Sequence, residues 1–352
     1  MKNPNKNARR TFVRQSALIL GTAASPIHSF NILKPKTRRK IVGQGDFKYA
    51  VDKEWGIQDP TKVPVKNCHE MVQDKLGRLI LLTDETKNNV IIYDRSGKVV
   101  STWGSEFPGA HGLTLWEAGD EEFLFITDTV KHQVYKTTLK GQVLMTIDYP
   151  RETGVYAKAE EFKPTETTIA PNGDIYIADG YGANYITVYD AEGNYKFHFG
   201  GKGDQKEQFD CCHGVTLDTR QTTSNTLLIT SRSANQFKQF SLGGDLLEII
   251  ETPGMWPCRP VIKGQDLYFA IIVSKSWWDY DGFLAIFDTS HQLVSAPGAL
   301  SDFDANRKVV TSAKYDGETF LSPHDVCVDD DLNLYVPQWL SGKTYPVRLT
   351  RI

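Results

Sequence analysis

Beyond about residue 40 the chain alternates between short apolar runs and polar turns. The runs are rich in Ile, Val, Leu, Tyr and Phe, and clusters of Gly, Asn and Asp separate them, as in strands joined by tight turns. An amphipathic helix would place apolar residues every three to four positions over several turns, and no long stretch has that spacing. The pattern therefore predicts an all-β protein.

The order of runs and turns repeats along the chain. The clearest unit starts with Cys68, continues with the runs 79–84 and 89–94, and closes after Gly97. Six copies share this order, and they begin at Cys68, Ala110, Pro164, Cys212, Cys258 and Pro323. Each copy holds short strands over about 50 residues, the content of one blade of a β-propeller. We therefore predict a single six-bladed β-propeller domain over residues 40–352, because a pair of β-sandwiches fits the repeat poorly.

The sixth copy has only three clear strands before the chain ends at Ile352. We expect the missing outer strand to come from the N-terminal side, around residues 47–55. The predicted fold class is thus an all-β, six-bladed β-propeller in which an N-terminal strand closes the ring.

The first residues have the layout of an export signal. Residues 1–24 carry basic side chains and no acid, and the weakly apolar stretch 16–24 precedes Ser25-Pro26, which is the order of a signal peptide. Within it, the run 9–14, Arg-Arg-Thr-Phe-Val-Arg, resembles the twin-arginine signature. We expect residues 1–30 to be a cleaved or disordered export signal and the protein to be periplasmic or extracellular; the alternative is a disordered basic tail.

The composition limits the classes of partner that the protein is expected to have. With 40 basic and 43 acidic side chains the formal net charge is −3, which offers no electrostatic case for a nucleic-acid partner. No run reaches about 18 uninterrupted apolar residues, so no membrane span is expected. An odd count of 5 cysteines excludes a dense disulfide framework. We expect a monomer that acts on a small-molecule or peptide-derived substrate.

Aligning the six copies puts one residue of each into the same slot, at the start of the first strand. These residues are His69, His111, Thr165, His213, Arg259 and His324. The first strand of each propeller blade lines the central channel, so residues in equal register lie at equal height around the axis. Four imidazoles at one height predict a metal site, and three imidazoles with an open position are typical of catalytic zinc. The alternative is a polar channel cluster that holds water.

Several segments resemble the lyase domain of peptidylglycine α-amidating monooxygenase, a six-bladed propeller with NHL-type repeats. The resemblance covers most of residues 65–340 in order and is specific at four motifs. The matching segments are 110–113 with 127–136, 164–165 with 178–186, 212–215 with 231–235, and 323–326.

This resemblance implies a reaction and a set of site residues. The family splits an α-hydroxyglycine into an amide and glyoxylate. It implies that His111, His213 and His324 bind Zn²⁺, that Tyr181 is the catalytic base, and that Arg232 binds the substrate carboxylate. His69 enlarges the same polar ring. The family also carries a structural Ca²⁺ bound partly by backbone carbonyls, and Leu113 and Asp325 occupy the corresponding places.

The sequence departs from this pattern at three places. Thr83-Asp84 stands where the family has a second active-site arginine, and Arg259 is the candidate to supply that charge. Gly182 stands where the family has a disulfide-forming cysteine. The region with Trp256, Trp277 and Trp278 has no counterpart; its aromatic rings suit either sugar stacking or packing between blades.

Other interpretations remain open at this stage. Tyr181 could instead pack between blades, and Arg232 could be a surface residue at a strand end. For the whole protein, the leading hypothesis is an exported metal-dependent carbon–nitrogen lyase with a channel zinc and a tyrosine base. The alternatives are a metal-dependent propeller enzyme acting on a carbohydrate or another carboxylated substrate, and a non-catalytic NHL-type binding propeller.

Overall fold

The computed structural model describes residues 39–220, 224–273, 282–300, 314–315 and 319–352. In these ranges the regular structure is almost entirely β-strand, with two short 3-10 turns at Arg151–Thr153 and Ala159–Glu161. The predicted export signal at residues 1–30 lies outside the described residues. No helix in the described ranges has the length and apolar character needed to cross a membrane.

The strands form the six blades that the repeat predicts. Before the first blade come β1 (Ile41–Gln44) and β2 (Phe47–Asp52). Blade one contains β3 (Cys68–Gln73), β4 (Leu79–Thr83), β5 (Val90–Tyr93) and β6 (Val99–Trp103). Blade two contains β7 (Ala110–Ala118), β8 (Glu121–Asp128), β9 (Gln133–Thr138) and β10 (Val143–Ile147). Blade three contains β11 (Glu166–Ile169), β12 (Ile175–Ala178), β13 (Tyr185–Tyr189) and β14 (Tyr195–Gly200).

The second half of the ring repeats the arrangement with one short insertion. Blade four contains β15 (Val215–Asp218), β16 (Thr226–Ser231), β17 (Gln236–Ser241) and β18 (Leu246–Glu251). Blade five contains β19 (Pro257–Lys263), β20 (Asp266–Ile271), β21 (Phe283–Phe287) and β22 (Leu293–Ser295). A small hairpin follows, made of β23 (Ala299–Leu300) and β24 (Lys314–Tyr315). Blade six contains β25 (Cys327–Val328), β26 (Leu334–Val336) and β27 (Val347–Arg351).

The ring closes as predicted, with an N-terminal strand in the last blade. β2 pairs antiparallel with β27, from Tyr49 opposite Arg351 to Asp52 opposite Arg348. β1 then adds outside β2, so that this sheet has five strands. The Arg348 guanidinium donates to Asp52 Oδ2 at 2.7 Å across the same pairing. The first and last parts of the propeller are therefore held in one sheet.

Each blade buries both of its faces against its two neighbours, which explains the continuous apolar runs in the sequence. Successive side chains of a strand point to opposite faces. In β4, Leu79 and Leu81 pack into the cluster shared with blade six. Ile80 and Leu82 pack instead into the cluster shared with blade two. Polar positions are therefore left to the turns and to the channel.

The outer turns of the blades use aspartate and glycine in a recurring way. Asp94 Oδ1 accepts hydrogen bonds from the backbone N–H groups of Ser96 and Lys98. Gly97 follows with φ 91°, a left-handed conformation that glycine adopts without steric cost. Asp190 and Gly193 (φ 86°) repeat the arrangement in blade three. These turns join the third and fourth strands of blades one and three.

Candidate functional site

The residues of the common slot converge in the channel, and irregular strand pairing helps to direct them there. The pairing of β3 with β4 shifts register between Cys68 and Glu70, which brackets His69. The pairing of β7 with β8 shifts between Ala110 and Leu113, which brackets His111. A bulge of this kind bends the strand and re-aims its side chains. The structure thus places these two histidines at the rim of the channel by a local break in the sheet.

Four buried imidazoles form one cluster, which we call the histidine cluster: His69, His111, His213 and His324. The ring centroids of His111, His213 and His324 are 4.8, 4.9 and 5.0 Å apart. His69 lies 4.8 Å from His111 and 4.9 Å from His324. Ring nitrogens of His69, His111 and His324 all lie within 4.8 Å of one another, so these three could hold a metal ion. His111 and His324 thus belong both to this trio and to the trio expected from the sequence.

Backbone carbonyls fix two of these rings. His111 Nδ1 lies 2.8 Å from the Thr165 carbonyl oxygen, and His324 Nδ1 lies 3.1 Å from the His69 carbonyl oxygen. A carbonyl oxygen only accepts, so each Nδ1 carries the proton and each Nε2 presents a lone pair. A ligating histidine is commonly oriented in this way by a partner on its other nitrogen.

Burial keeps the histidine cluster neutral. Desolvation, together with the nearby charges of Lys66 and Arg232, lowers the pKa of His69 to about 3. Desolvation also holds the pKa values of His111, His213 and His324 well below the usual range. The Nδ1 atoms of His69 and His213 are buried without a hydrogen-bond partner among the described residues. Neutral imidazole is the form that binds a metal, so the chemistry of this donor set fits a borderline cation such as zinc.

The Tyr181 hydroxyl lies directly against the histidine cluster. It is 3.2 Å from His111 Nε2 and 3.0 Å from His213 Nε2. The side chain is 42% exposed, but its hydroxyl contacts buried groups. Desolvation raises the pKa of Tyr181 to about 12, although the Arg232 guanidinium beside it acts to lower the pKa. This hydroxyl reaches into the channel, which packing between blades would not require.

Arg232 lies beside that hydroxyl and is only 2% exposed, so it is not a surface residue. Its Nη1 is 3.4 Å from the Tyr181 hydroxyl, its Nε donates to the Pro257 carbonyl oxygen at 3.2 Å, and its Nη2 is 3.1 Å from Cys258 Sγ. Among the residues that the structure describes, no carboxylate forms an ion pair with it. A buried cation without an anion is costly unless a ligand provides the anion.

Aspartates at the ends of second strands anchor the loops on the rim of the site. Asp179 follows β12, and its carboxylate accepts from the N–H groups of Lys163 at 2.7 Å and Ala183 at 2.6 Å and from the Tyr156 hydroxyl at 2.8 Å. These bonds hold the loop that carries Tyr181. A Cβ at Gly182 would collide with the Asp179 carboxylate, so this tight loop needs glycine where the family has cysteine.

Asp84 has the same anchoring role in blade one. Its carboxylate accepts from the backbone N–H and the side-chain amide of Asn67, both at 2.9 Å. It also forms an ion pair with Lys66 at 3.3 Å. Asp128 does likewise in blade two, accepting from the Gly109 N–H at 3.1 Å. The acidic residue that departs from the family pattern thus belongs to a structural repeat of this chain.

Arg259 is in the channel, but its guanidinium extends away from Tyr181 into a second layer. Three buried acids surround it there: Glu70, Glu166 and Asp325. The pairing of β19 steps from Pro257 to Pro260 as that of β7 steps from Ala110 to Leu113, so Arg259 corresponds to Gly112, one position after His111. The sequence alignment of Arg259 with the histidines was therefore wrong by one residue, and its side chain belongs to the layer of Glu70, Glu166 and Asp325. Burial raises the pKa of Glu70 well above its usual value and also raises that of Glu166. A role for Arg259 in binding substrate stays a prediction, and its donors are already engaged.

Cavities lie on both sides of these layers. A cavity of about 310 Å³ opens beside Tyr181 and is lined partly by Tyr156, Lys163 and Ala183. A larger one of about 480 Å³ lies beyond Arg259, between the later parts of the first strands. The first cavity is lined by Tyr181 and by the loop that carries it, so it adjoins the outer side of the site.

The remaining candidates have structural surroundings or lie outside the described residues. Trp256 packs against the core shared by blades five and six. Trp277 and Trp278 lie outside the described residues. All five cysteines are free thiols, and those before the common slot, Cys68, Cys212 and Cys258, are buried in the blades. They fill space at the blade starts.

Sequence reasoning missed two groups near the site. Glu70, Glu166 and Asp325 all follow the slot by one position, in blades one, three and six; only Asp325 was noticed, through the family resemblance. Applying the slot alignment one residue further would have found the other two. The anchor Asp179 lies at the same place in its repeat as Asp84 and Asp128, a regularity visible in the sequence.

No protein-family model matches the chain. Among curated proteins, it is 25% identical over 291 residues to the Caenorhabditis elegans protein named "Probable peptidyl-alpha-hydroxyglycine alpha-amidating lyase pgal-1", covering 80% of this chain and 75% of that protein. It is 34% identical over 110 residues to "Peptidyl-alpha-hydroxyglycine alpha-amidating lyase 2" of Drosophila melanogaster, covering 30% and 26%. Human "NHL repeat-containing protein 3" is 24% identical over 155 residues, covering 42% and 45%. Relatives with these names confirm the resemblance found in the sequence.

Solved structures support the fold independently. Streptogramin B lyase superposes with a TM-score of 0.55 at 13% identity and covers 86% of this chain and 97% of its own. A catalytically inactive variant of virginiamycin B lyase from Staphylococcus aureus, solved with quinupristin, gives a TM-score of 0.54 at 13% identity and covers 89% and 100%. At such identity these likenesses establish the propeller architecture and nothing about substrate.

Proposed function

We propose that this protein is an exported, zinc-dependent carbon–nitrogen lyase that cleaves a carbinolamide of the α-hydroxyglycine type into an amide and glyoxylate. Sequence relatives named as amidating lyases support this reaction class. The export signal proposed for residues 1–30 would direct the protein to the periplasm or the cell exterior.

One observation carries the proposal. The Tyr181 hydroxyl lies within 3.2 Å of two imidazole nitrogens and 3.4 Å from Arg232, a buried guanidinium that has no carboxylate partner among the described residues. A proton acceptor, a cluster of neutral metal-binding rings and an unpaired cation therefore meet at one point. A carboxylated substrate with a hydroxyl next to the carboxylate would use all three.

The histidine cluster would hold the zinc ion, with His111 and His324 as ligands and a third position filled by His213 or His69. Zinc in a site of three imidazoles keeps an open position and acts there as a Lewis acid. A cation at this place would also lower the pKa of Tyr181 from the value of about 12 that burial imposes. Tyrosinate would then be accessible nearer neutral pH.

Tyr181 would move the proton in the reaction. The tyrosinate oxygen takes the proton of the substrate hydroxyl, and the electron pair of that O–H bond forms the carbonyl of glyoxylate. The C–N bond breaks as the carbonyl forms, and the amide nitrogen receives the proton from the Tyr181 hydroxyl. The two products together contain every atom of the substrate, so no other reactant is needed.

Arg232 would hold the substrate carboxylate. A planar guanidinium can bind a carboxylate through two parallel hydrogen bonds, which fixes the orientation of the carbon between carboxylate and hydroxyl. The Pro257 carbonyl and the Cys258 thiol already position this guanidinium next to Tyr181. Binding an anion here would also offset the cost of burying the unpaired charge.

The test is glyoxylate release from an N-acyl-α-hydroxyglycine by the full chain reconstituted with zinc. We expect release above the uncatalysed rate, and we expect Tyr181→Phe to lower kcat by about 10²- to 10⁴-fold, the usual contribution of a general base. Tyr149→Phe, a change of the same size in a tyrosine outside the site, should leave release unchanged.

The zinc content of the same samples is also measured, so that loss of activity can be distinguished from loss of metal. If the wild-type chain binds zinc and releases no glyoxylate, the lyase assignment is wrong although a metal site exists. If Tyr181→Phe retains full activity, the role of Tyr181 is wrong although the reaction class stands.

A further inference from the structure

The second layer of the channel is a cage of oxygen atoms with Arg259 at its centre. Asp325 accepts two hydrogen bonds from the guanidinium, from Nε at 3.2 Å and from Nη2 at 2.7 Å. Nη1 donates to the Leu113 carbonyl oxygen at 2.9 Å, and Nη2 donates to the Met71 carbonyl oxygen at 3.3 Å. Glu70 Oε2 lies 3.3 Å from Nη1. All these groups are buried, and each nitrogen of the guanidinium donates to at least one of these acceptors.

Residues from most of the blades form this cage. Glu70 and Met71 belong to blade one, Leu113 to blade two and Asp325 to blade six. Glu166 of blade three adds a third carboxylate 3.6 Å from Nε. Gly214 of blade four lies against the backbone of Arg259, because a Cβ there would come within 2.6 Å of the Arg259 Cα. One side chain of blade five therefore links the inner strands of four other blades.

These contacts decide whether the structural calcium ion implied by the resemblance fits. Leu113 and Asp325 are the residues placed as calcium ligands, and carbonyl and carboxylate oxygens are the ligands that Ca²⁺ prefers. Here the guanidinium already donates to the Leu113 carbonyl oxygen and to both carboxylate oxygens of Asp325. A second cation at the same oxygens would meet strong repulsion from a charge that cannot be removed, since arginine stays protonated. The residues present do not fit a calcium ion.

We propose that the guanidinium of Arg259 takes the place of the calcium ion as a covalently attached cation. It ties the inner strands of the blades together, so the folded protein does not depend on calcium. The positive charge at the centre of the cage is supplied by the chain itself, whatever the availability of Ca²⁺ outside the cell. This inference is independent of the reaction proposed above.

The test compares calcium-dependent thermal unfolding of the full chain with that of two variants. After treatment with a calcium chelator, we expect the wild-type Tm to be the same with and without millimolar Ca²⁺. Arg259→Ala removes the cation and leaves three carboxylates and two carbonyls, so we expect a lower Tm that rises by several degrees as Ca²⁺ is added. Calorimetric titration with CaCl₂ should show one bound ion in this variant and none at this site in the wild type.

Arg220→Ala is the matched control. The Arg220 side chain is also buried and ion-paired, with Asp218 at 2.7 Å, and no second carboxylate pairs with it among the described residues. Its loss should lower the Tm without creating a response to Ca²⁺, because one carboxylate makes no cage.

Two results would overturn the proposal. The first is a wild-type Tm that rises with Ca²⁺ and loses that rise in Asp325→Asn, since calcium would then share the cage with Arg259. The second is a folded Arg259→Ala variant that shows no response to Ca²⁺. If Arg259→Ala does not fold, Arg259→Lys keeps a tethered cation and should fold without responding to Ca²⁺; a calcium-dependent Tm in that variant would contradict the proposal.

Discussion

Replacing Asp179 by asparagine tests whether this residue anchors the Tyr181 loop. The change should lower activity and should alter the free energy of unfolding in a way that depends on pH. The Asp179 carboxylate accepts three hydrogen bonds, from Lys163 N–H, Ala183 N–H and the Tyr156 hydroxyl. Its backbone carbonyl also accepts from the N–H groups of Gly182 and Asn184. The amide group of asparagine has one acceptor oxygen and two donor hydrogens, so one side of the group would face donors that it cannot satisfy. We expect the loop to shift and the Tyr181 hydroxyl to lose its position.

The effect on stability should depend on pH, with a sign that follows from the buried carboxylate. Burial raises the pKa of Asp179 from 3.8 to about 6, against the lowering effect of its hydrogen bonds. Between these pH values the folded chain binds a proton that the unfolded chain has lost. Stability from this group therefore falls as pH rises through that window, by about 3 kcal/mol in total. Asparagine has no such proton, so the variant lacks this slope.

The assay is urea unfolding of wild type and Asp179→Asn at several pH values between about 4 and 7, with glyoxylate release measured on the same samples. Relative to wild type, the free energy of unfolding of the variant should rise by about 3 kcal/mol from the lowest to the highest pH of this range. Its kcat should nevertheless fall at least about tenfold, because misplacing a reacting group by about 1 Å has effects of that size or larger.

Asp190→Asn is the matched control, a partly exposed aspartate in an outer turn of the same blade. It should leave kcat unchanged and should not show the gain in stability at higher pH. The reasoning is refuted if the stability difference between Asp179→Asn and wild type is constant over this pH range, or if the variant keeps full activity.

Three further predictions concern the site. Arg232→Lys keeps the charge but removes the planar fork, so KM for an α-hydroxyglycine substrate should rise by about tenfold or more; steady-state kinetics on a substrate with its carboxylate amidated should show no comparable change, and an equal change on both substrates would contradict the role. His69→Ala and His213→Ala distinguish the two possible sets of three ligands. Only the variant that loses a ligand should lose most of its zinc affinity in a metal-binding titration. Unchanged zinc affinity in both variants would contradict both ligand sets. Burial raises the pKa of the Cys258 thiol to about 11. A thiol reagent at neutral pH should therefore leave this cysteine unmodified in the folded chain and modify it in denaturant, as measured by mass spectrometry. Rapid modification of Cys258 in the folded chain would contradict its buried position.

The propeller and its closure could be predicted because the same pattern of strands and turns recurs along the sequence. Six copies of one pattern of runs and turns define six blades, and a copy lacking a strand requires a strand from elsewhere. β2 pairs with β27 where this reasoning placed it. The second outer strand, β1, was not predicted, because its run of four residues at 41–44 resembles many short apolar runs in the chain.

The direction of side chains in the channel could not be predicted from the repeat alone. The sequence alignment put His111 and Arg259 into the same slot, yet the first contacts Tyr181 and the second lies in the layer of Glu70 and Asp325. The strand pairing explains the difference: Leu113 in β7 and Pro260 in β19 follow the same register step, so Arg259 corresponds to Gly112, one position after His111. The role of Asp84 could not be predicted from the family comparison, because the acid that replaces the family arginine contacts residues of its own blade.

The most direct test of the account is glyoxylate release by metal-free protein as zinc is added in steps. The account predicts no release without metal, a linear rise, and a plateau at one zinc ion per chain, with neither binding nor release in a variant carrying both His111→Ala and His324→Ala. Release that is complete without metal, or zinc binding that persists in that double variant, would contradict the claim that the histidine cluster is the centre of the chemistry.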